Sequence, residues 1–217
     1  MRHLTPMVLA PMLWGCQTTI STPFPDGLEP LEDLAVEPPA ATDSEAYPET
    51  TTSAVGEEED YLWAHVRGYF QHDIADVWEL MRTDPVAMSD RRDLTSVEST
   101  FDVEPEYALS YVNHIVVVNI VTLEWDLVFR GDQAGGDEGD PQRYAIRFQK
   151  TEGSSLIRLQ EGSIVIEAVE PGITEFQFIE RLDAPQTTTD DPLSYGEDLH
   201  ATLAALLAGD PMPEWNR

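Results

Sequence analysis

Alternation of apolar and polar residues predicts a series of β-strands from residue 61 onward. The clearest run is Val121 to Arg130, in which Val121, Leu123, Trp125, Leu127 and Phe129 share one face and Thr122, Glu124, Asp126 and Arg130 share the other. A period of two places successive side chains on opposite faces of a strand, so one face should be buried and the other wet. Similar patterns predict strands over residues 61–70, 94–103, 107–113 with 115–118, 143–150, 155–168 and 173–182, about seven strands in all.

Glycine and aspartate mark two irregular places among these strands. Gly162 predicts a bulge or bend in the strand over residues 155–168, and residues 131–141 predict a hairpin loop. The loop contains Asp132, Asp137, Glu138 and Asp140, but it lacks the spaced ligand order of the helix-loop-helix calcium site, which favours a solvated hairpin. No zinc spacing of histidines occurs either, and we expect no metal and no cofactor.

Apolar residues with helical spacing predict a helix before and a helix after the six later strands. Asp73 can cap the first helix, whose buried stripe is Ile74, Val77, Trp78 and Met81 and which Pro85 ends. A second short helical turn is predicted over residues 86–90. The last helix is predicted to begin at a capping box formed by Ser194 and Glu197 and to end at Gly209. This order of elements predicts an α+β fold.

Residues 61–217 have the length of one domain with its own core. They hold 29 of the 41 acidic residues of the chain and 11 of its 12 basic residues, a net charge of −18. Such a domain has no basic stripe to neutralise phosphates, so nucleic-acid binding is excluded as a function class.

The segment before this domain has a different composition. Residues 17–60 contain twelve acidic residues, six prolines and no lysine or arginine. Such a segment cannot bury enough apolar surface to offset the entropy of ordering it, so we expect residues 16–60 to form a disordered, self-repelling linker. Adjacent carboxylates point in different directions, so the run Glu57–Asp60 is expected to be solvated charge and not a metal site.

Residues 1–15, followed by Cys16, resemble a bacterial lipoprotein signal peptide. The segment is mostly apolar, and small Gly15 precedes Cys16, the only cysteine, as in the lipobox motif. The resemblance implies lipidation of Cys16 and a mature chain that is anchored to a membrane of the bacterial cell envelope, facing the periplasm or the cell surface. The alternatives are a stray cysteine behind a misassigned start and an ordinary secretory signal. A membrane-spanning helix is not favoured, because the apolar segment is too short to span a membrane.

The order of elements in residues 61–217 resembles the START-like helix-grip superfamily (SRPBCC), which includes polyketide cyclases and lipid-transfer domains. The resemblance is carried by His65–Phe70, by Asp73–Leu80 with Asp84 and Pro85 after it, and by Val121–Trp125. It implies a curved antiparallel sheet wrapped around a long C-terminal helix, with one or two short helices after the first strand. Many such domains enclose an apolar cavity that binds lipids or other hydrophobic molecules.

On this sequence the resemblance implies a cavity between the sheet and the last helix. The expected lining residues are Leu123, Trp125, Leu127, Tyr144, Ile146, Phe148, Phe176, Phe178, Leu199, Leu203 and Leu206, which could equally fill a solid core. Tyr111 and His114 are the candidates for polar contacts inside it. No triad of catalytic residues is evident.

Three functions therefore remain open from the sequence. The favoured one is a tethered, non-catalytic module that binds or carries a hydrophobic small molecule or lipid. A cyclase-like or hydrolase-like enzyme with Tyr111 or His114 near the pocket is the second, and a filled domain that binds protein partners is the third.

Overall fold

The computed structural model describes residues 18–84, 88, 96–118 and 122–213. The predicted signal segment with Cys16, the residue Val121 and most of the predicted turn over residues 86–90 lie outside them. The described strands are β1 (Thr19–Ser21), β2 (Thr51–Glu57), β3 (Leu62–Phe70), β4 (Ser96–Phe101), β5 (Leu109–Val118), β6 (Thr122–Asp137), β7 (Asp140–Ser154), β8 (Leu159–Glu170) and β9 (Ile173–Asp183). The helices are α1 (Ile74–Thr83) and α2 (Asp190–Leu207).

The strands form one curved antiparallel sheet in the order β2-β3-β9-β8-β7-β6-β5-β4. Strand β8 pairs with residues 143–149 of β7. Strand β1 pairs with residues 152–154 of β7, on the same edge of that strand and just beyond the end of this pairing. The sheet thus has nine strands among the described residues, more than the seven predicted. Both additional strands, β1 and β2, come from the segment that was expected to be disordered.

Residues 18–57, here called the N-terminal strap, lie against the outer face of the sheet. The backbone N–H of Leu31 donates to Ser163 Oγ at 3.3 Å, and that of Ala35 donates to His65 Nδ1 at 2.8 Å. The strap then turns back and pairs as β2 with β3 over the whole of residues 51–57. The expectation of a disordered linker is therefore wrong for this part of the chain, and residues 16 and 17 lie outside the described residues.

The strap contains no basic residue, and arginines on the outer face of the sheet supply its cationic partners. Arg181 donates to the carboxylate of Glu32 at 2.5 Å, and Arg147 donates to the carbonyl of Glu29 at 2.9 Å. The guanidinium of Arg130 lies 4.0 Å from the ring centroid of Phe24. Charge-assisted hydrogen bonds of this kind offset the entropy of ordering an acidic segment, which composition alone does not reveal.

The core lies between the inner face of the sheet and α2. Phe148 on β7 faces Gly162 on β8, where a Cβ atom would overlap the phenyl ring. Gly162 therefore makes room for an aromatic ring, and the predicted bulge at this position is wrong, since the pairing of β8 is regular there. Gly196 on α2 likewise makes room for an aromatic ring, because a Cβ atom there would lie 2.6 Å from Phe178 Cδ1.

Helix α1 follows its prediction closely. Ile74, Val77, Trp78 and Met81 are buried, and Asp73 is the N-cap residue. The Asp73 carboxylate, however, accepts from the backbone N–H of Gly172 at 2.7 Å and makes no hydrogen bond to the helix itself. The cap residue thus fastens α1 to the turn between β8 and β9.

The N-cap of helix α2 lies five residues earlier than predicted. The N-cap residue is Thr189, and Ser194 is buried inside the helix, so the predicted capping box is wrong. Glu197 instead accepts from Ser53 of the strap at 3.1 Å. The end at Gly209 is confirmed, since its φ of 80° and the hydrogen bond from Asp210 to the carbonyl of Ala205 form a left-handed C-cap.

The loop predicted over residues 131–141 is also shorter in the structure. Strand β6 continues to Asp137 and β7 starts at Asp140, which leaves a turn of only residues 138–139. Register shifts beside Gly135 and Gly136 allow the strands to stay paired through this glycine-rich stretch.

His200 fixes α2 to β3. Its Nε2–H donates to the carbonyl of Tyr69 at 3.0 Å, and its ring stacks on Phe70 with centroids 4.6 Å apart. Burial lowers the pKa of His200 to about 4, and the hydrogen bond to the carbonyl of Tyr69 offsets only part of that effect. The imidazole is therefore neutral in the folded protein at neutral pH.

This buried histidine predicts acid sensitivity. The unfolded chain binds a proton near the ordinary histidine pKa of about 6.5, and the folded chain only near about 4, so stability is lost as the pH falls through this window. Urea unfolding of the parent and of His200→Gln should show that the parent loses about 3 kcal/mol more than the variant between about pH 7.5 and pH 4. His72→Gln serves as the control and should follow the parent, whereas an identical loss in His200→Gln would contradict this account.

Candidate functional site

A cavity of about 230 Å³ lies at one end of the inner face, between the sheet and the first turn of α2. Its walls come from β5, β6, β8 and β9, from the loop before β8 and from the loop that leads into α2. The lining residues are Ile115, Val117, Leu123, Trp125, Ile157, Gln160, Leu182, Ala184, Pro185, Thr187 and Asp191. The structure thus brings two of the sequence-predicted lining residues, Leu123 and Trp125, to a real cavity.

Most of the other predicted lining residues lie in a packed core and do not line this cavity. Leu127, Ile146, Phe148, Phe176, Phe178, Leu199 and Leu203 are all buried there. The ring of Phe148 lies 5.4 Å from that of Phe129 and 6.0 Å from those of Phe178 and Tyr195, measured between centroids. Aromatic rings therefore fill the space beneath the middle of α2.

Tyr144 and Leu206 lie at the edge of this core and are only partly buried. Tyr144 stacks on Trp78 of α1 with centroids 4.2 Å apart. The inner face is thus closed at the α1 side, and the cavity is confined to the opposite end.

The two predicted polar contacts have opposite placements. Tyr111 is buried on the inner face, stacked on Phe129 at 4.6 Å, and burial raises the pKa of its hydroxyl well above the ordinary value. His114 points outward, has a side chain that is 47% exposed, and pairs with Asp126 at 2.7 Å. The prediction of a cavity contact is wrong for His114, because Asn113 and Ile115 on either side of it face inward and neighbouring residues of a strand alternate.

A chain of buried hydrogen bonds runs from the cavity wall into the core. The indole Nε1–H of Trp125 donates to Gln160 Oε1 at 2.9 Å, and Gln160 Nε2 donates to Glu180 Oε1 at 3.0 Å. All three residues are almost fully buried. This polar floor (Trp125, Gln160 and Glu180) fixes the orientation of the indole ring that lines the cavity.

Lys150 is a second buried ionisable group on the inner face. It follows Phe148 by two residues on β7, pairs with Leu127 on β6, and is only 3% exposed. Its Nζ has no hydrogen-bond partner among the described residues, and burial lowers the pKa of the ammonium group. The amine of Lys150 and the carboxylate of Glu180 thus lie on the same apolar face of the sheet.

Sequence reasoning missed Lys150, Gln160 and Glu180, although strand alternation carried the signal. Lys150 continues the inward series of Ile146 and Phe148, and Glu180 continues that of Phe176 and Phe178. A charged residue at an inward position of a strand is unusual, because burying a charge without a partner is costly.

The surroundings of the cavity mouth are acidic. A neighbouring depression of about 260 Å³ shares Leu182, Ala184 and Thr187 with the cavity and is also lined by the run Glu57–Asp60. Arg158 is present there, but its guanidinium pairs with Asp183 at 2.5 Å. In the described part of the chain no group of three or more histidine, cysteine or acidic residues is arranged to hold a metal ion.

Comparison with known proteins supports the fold. No protein-family model matches the sequence, and no curated protein matches it either. The lipid transfer and protein localization domain of human StarD13 (DLC2) matches with a TM-score of 0.50 and 10% sequence identity, over 78% of this chain and 85% of that chain. The fold is a helix grip. At this identity the likeness shows the fold alone.

Other solved structures match less well. TTHA0849 from Thermus thermophilus has a TM-score of 0.41 and 16% identity, over 68% of this chain and 92% of that chain. Norcoclaurine synthase from Thalictrum flavum, in complex with dopamine and hydroxybenzaldehyde, has a TM-score of 0.43 and 11% identity, over 76% of this chain and 91% of that chain.

Neither helix in the described residues is long and apolar enough to cross a membrane.

Lys150 offers a test of how the inner face tolerates its buried charge. Lys150→Met keeps the length of the side chain and removes an ammonium group without a partner, so we expect the free energy of unfolding to rise by about 1–3 kcal/mol at neutral pH. Lys150→Arg keeps the charge and should bring no gain. A clear destabilisation by Lys150→Met in urea unfolding would show that the ammonium group is needed in the folded protein.

Proposed function

We propose that this chain is a membrane-tethered lipoprotein of the bacterial cell envelope whose START-like domain binds or carries a hydrophobic small molecule or lipid without catalysis. The observation that carries the binding part is the largely apolar cavity of about 230 Å³ with the Trp125 indole in its wall. Ligand cavities of drug-sized molecules are typically about 300–1,000 Å³, so this cavity suits a compact ligand or part of a larger one.

An enzyme of the cyclase or hydrolase type is the second candidate. Its support is the pair of buried ionisable groups, Lys150 and Glu180, on the inner face that also bears the cavity. Neither residue is part of the cavity wall, whose polar lining is Gln160, Thr187 and Asp191. The binding function needs only the apolar wall, and we favour it for that reason.

The ligand hypothesis can be tested with the neutral fluorescent probe 1-aminoanthracene on residues 18–217. Val117→Trp places an indole in the cavity wall and should weaken probe binding by about tenfold or more, since lost burial of about 50 Å² already costs that much. Val116→Trp is the matched control, because Val116 is the preceding residue on β5, lies outside the cavity lining, and should leave binding unchanged.

Solvent extraction of natively purified protein followed by mass spectrometry complements the probe. A co-purifying hydrophobic compound, absent from Val117→Trp, supports the binding function. If the protein carries no such compound and does not bind the probe, the proposed binding function is wrong. That result would favour a domain that acts through protein partners.

The tether is tested separately in cells. Cys16→Ser in the full chain should move the protein from the membrane fraction to the soluble fraction, because a chain without acyl groups has no lasting anchor. Thr22→Ser serves as the control and should stay with the membrane. Unchanged membrane association of Cys16→Ser would refute lipidation at this residue.

A further inference from the structure

A second cavity, here called the strap groove, lies on the outer face of the sheet, between the N-terminal strap and the β6–β7 hairpin. Residues 27–30 of the strap form one wall, and residues 132–134 of β6 form the other together with Arg143 and Ala145 of β7. Its volume is about 440 Å³. Ligand pockets typically have volumes of about 300–1,000 Å³, so the groove is large enough for a small molecule.

Arg143 is the one arginine of the described chain whose guanidinium group makes no hydrogen bond or ion pair. The others each donate to a carboxylate or a carbonyl, and they are Arg67, Arg82, Arg130, Arg147, Arg158 and Arg181. The Nε of Arg143 is buried without a hydrogen-bond partner among the described residues, and although Glu167 faces Arg143 across β7 and β8, no ion pair joins them. A guanidinium group is a planar fork of donors that matches a carboxylate, so Arg143 is available to a ligand carboxylate in the groove.

Glu29 and Asp132 bring carboxylates to the two walls of the strap groove. Gly27 has a φ of 80°, and a Cβ atom there would lie 2.8 Å from Glu29 Oε2, so the Glu29 side chain folds back over Gly27. Asp132 pairs with Ala145, two residues after Arg143 on the same face of β7, and diagonal neighbours of this kind lie about 7–8 Å apart. The groove therefore presents negative charge close to its unpaired cation.

We propose that the strap groove binds a compact zwitterion of the α-amino-acid type with an apolar side chain. The ligand carboxylate pairs with Arg143, its ammonium group lies between Glu29 and Asp132, and its side chain contacts Leu28 and Ala145. The two carboxylates of the groove repel a dianion such as phosphate, and the guanidinium group repels a simple cation. The groove lies on the face opposite the cavity beside Trp125, so this inference does not depend on ligand binding in that cavity.

Titration of the full chain with L-leucine at about pH 6.5, followed through the amide NMR resonances, tests this site. We expect saturable shifts at residues 27–29, 132–134 and 143–145, which form the groove, and none at residues 115–117 beside the other cavity. Leucinamide lacks the carboxylate, and 4-methylpentanoate lacks the ammonium group. Each should bind about fivefold or more weakly than leucine, because each loses one charge-assisted interaction.

Matched variants assign the charges of the ligand to the charges of the groove. Arg143→Gln should weaken leucine binding by about fivefold or more, whereas Arg82→Gln, the same change at an exposed arginine of α1, should leave it unchanged. Asp132→Asn should weaken leucine binding but strengthen that of 4-methylpentanoate, because a negative charge that repels the carboxylate is removed. A loss of folding would weaken both ligands, so the opposite signs identify a direct electrostatic contact.

Three results would overturn the proposal: no saturable shift at the groove, binding of leucinamide as tight as that of leucine, or unchanged leucine binding in Arg143→Gln. Binding of 1-aminoanthracene should be the same in Arg143→Gln as in the parent, because Arg143 is not part of the cavity beside Trp125. The two sites can therefore fail independently, and each failure has its own measurement.

Discussion

Helix α2 packs directly on the middle of the sheet, and this contact determines where a ligand can bind. Gly162 lets the ring of Phe148 lie on β8, and Gly196 lets the helix approach Phe178 closely. Interiors packed to this density have no room for a ligand, and in the described part of the chain the apolar cavity lies at the end of the grip, beyond the aromatic core. The fold thus supplies a small cavity beside the first turn of α2.

The outer face of the sheet has a different chemistry, and it sets the domain boundary. Arg67, Arg147 and Arg181 lie there with the carboxylates of Glu175, Glu161 and Glu32. Burial raises the pKa of the Glu32 carboxyl, but hydrogen bonds from Arg181 and His65 outweigh that effect and leave the pKa lowered. The strap is therefore part of the folded unit, which begins at or before residue 18.

Local patterns predicted the elements but not the long-range contacts. The alternation of Leu123, Trp125 and Leu127 placed these residues on the inner face, and the stripe of α1 was equally readable. The strap was missed because its partners are distant in sequence, as in the pairing of Thr19 with Ser154, and because its stabilising charges belong to other strands. Periodicity also cannot tell a packed face from one that borders a cavity, so Phe148 and Trp125 looked alike from the sequence.

The tryptophan indole N–H resonances report whether a hydrophobic ligand binds in the cavity beside Trp125. Titration with a compact apolar compound such as naphthalene, followed by NMR, should shift the Trp125 resonance in a saturable way, since this ring lines the cavity and its N–H is held by Gln160. Trp78, stacked on Tyr144 beside the packed core, should not respond. A shift of Trp78 alone, or no saturable shift of Trp125, would contradict ligand binding in this cavity.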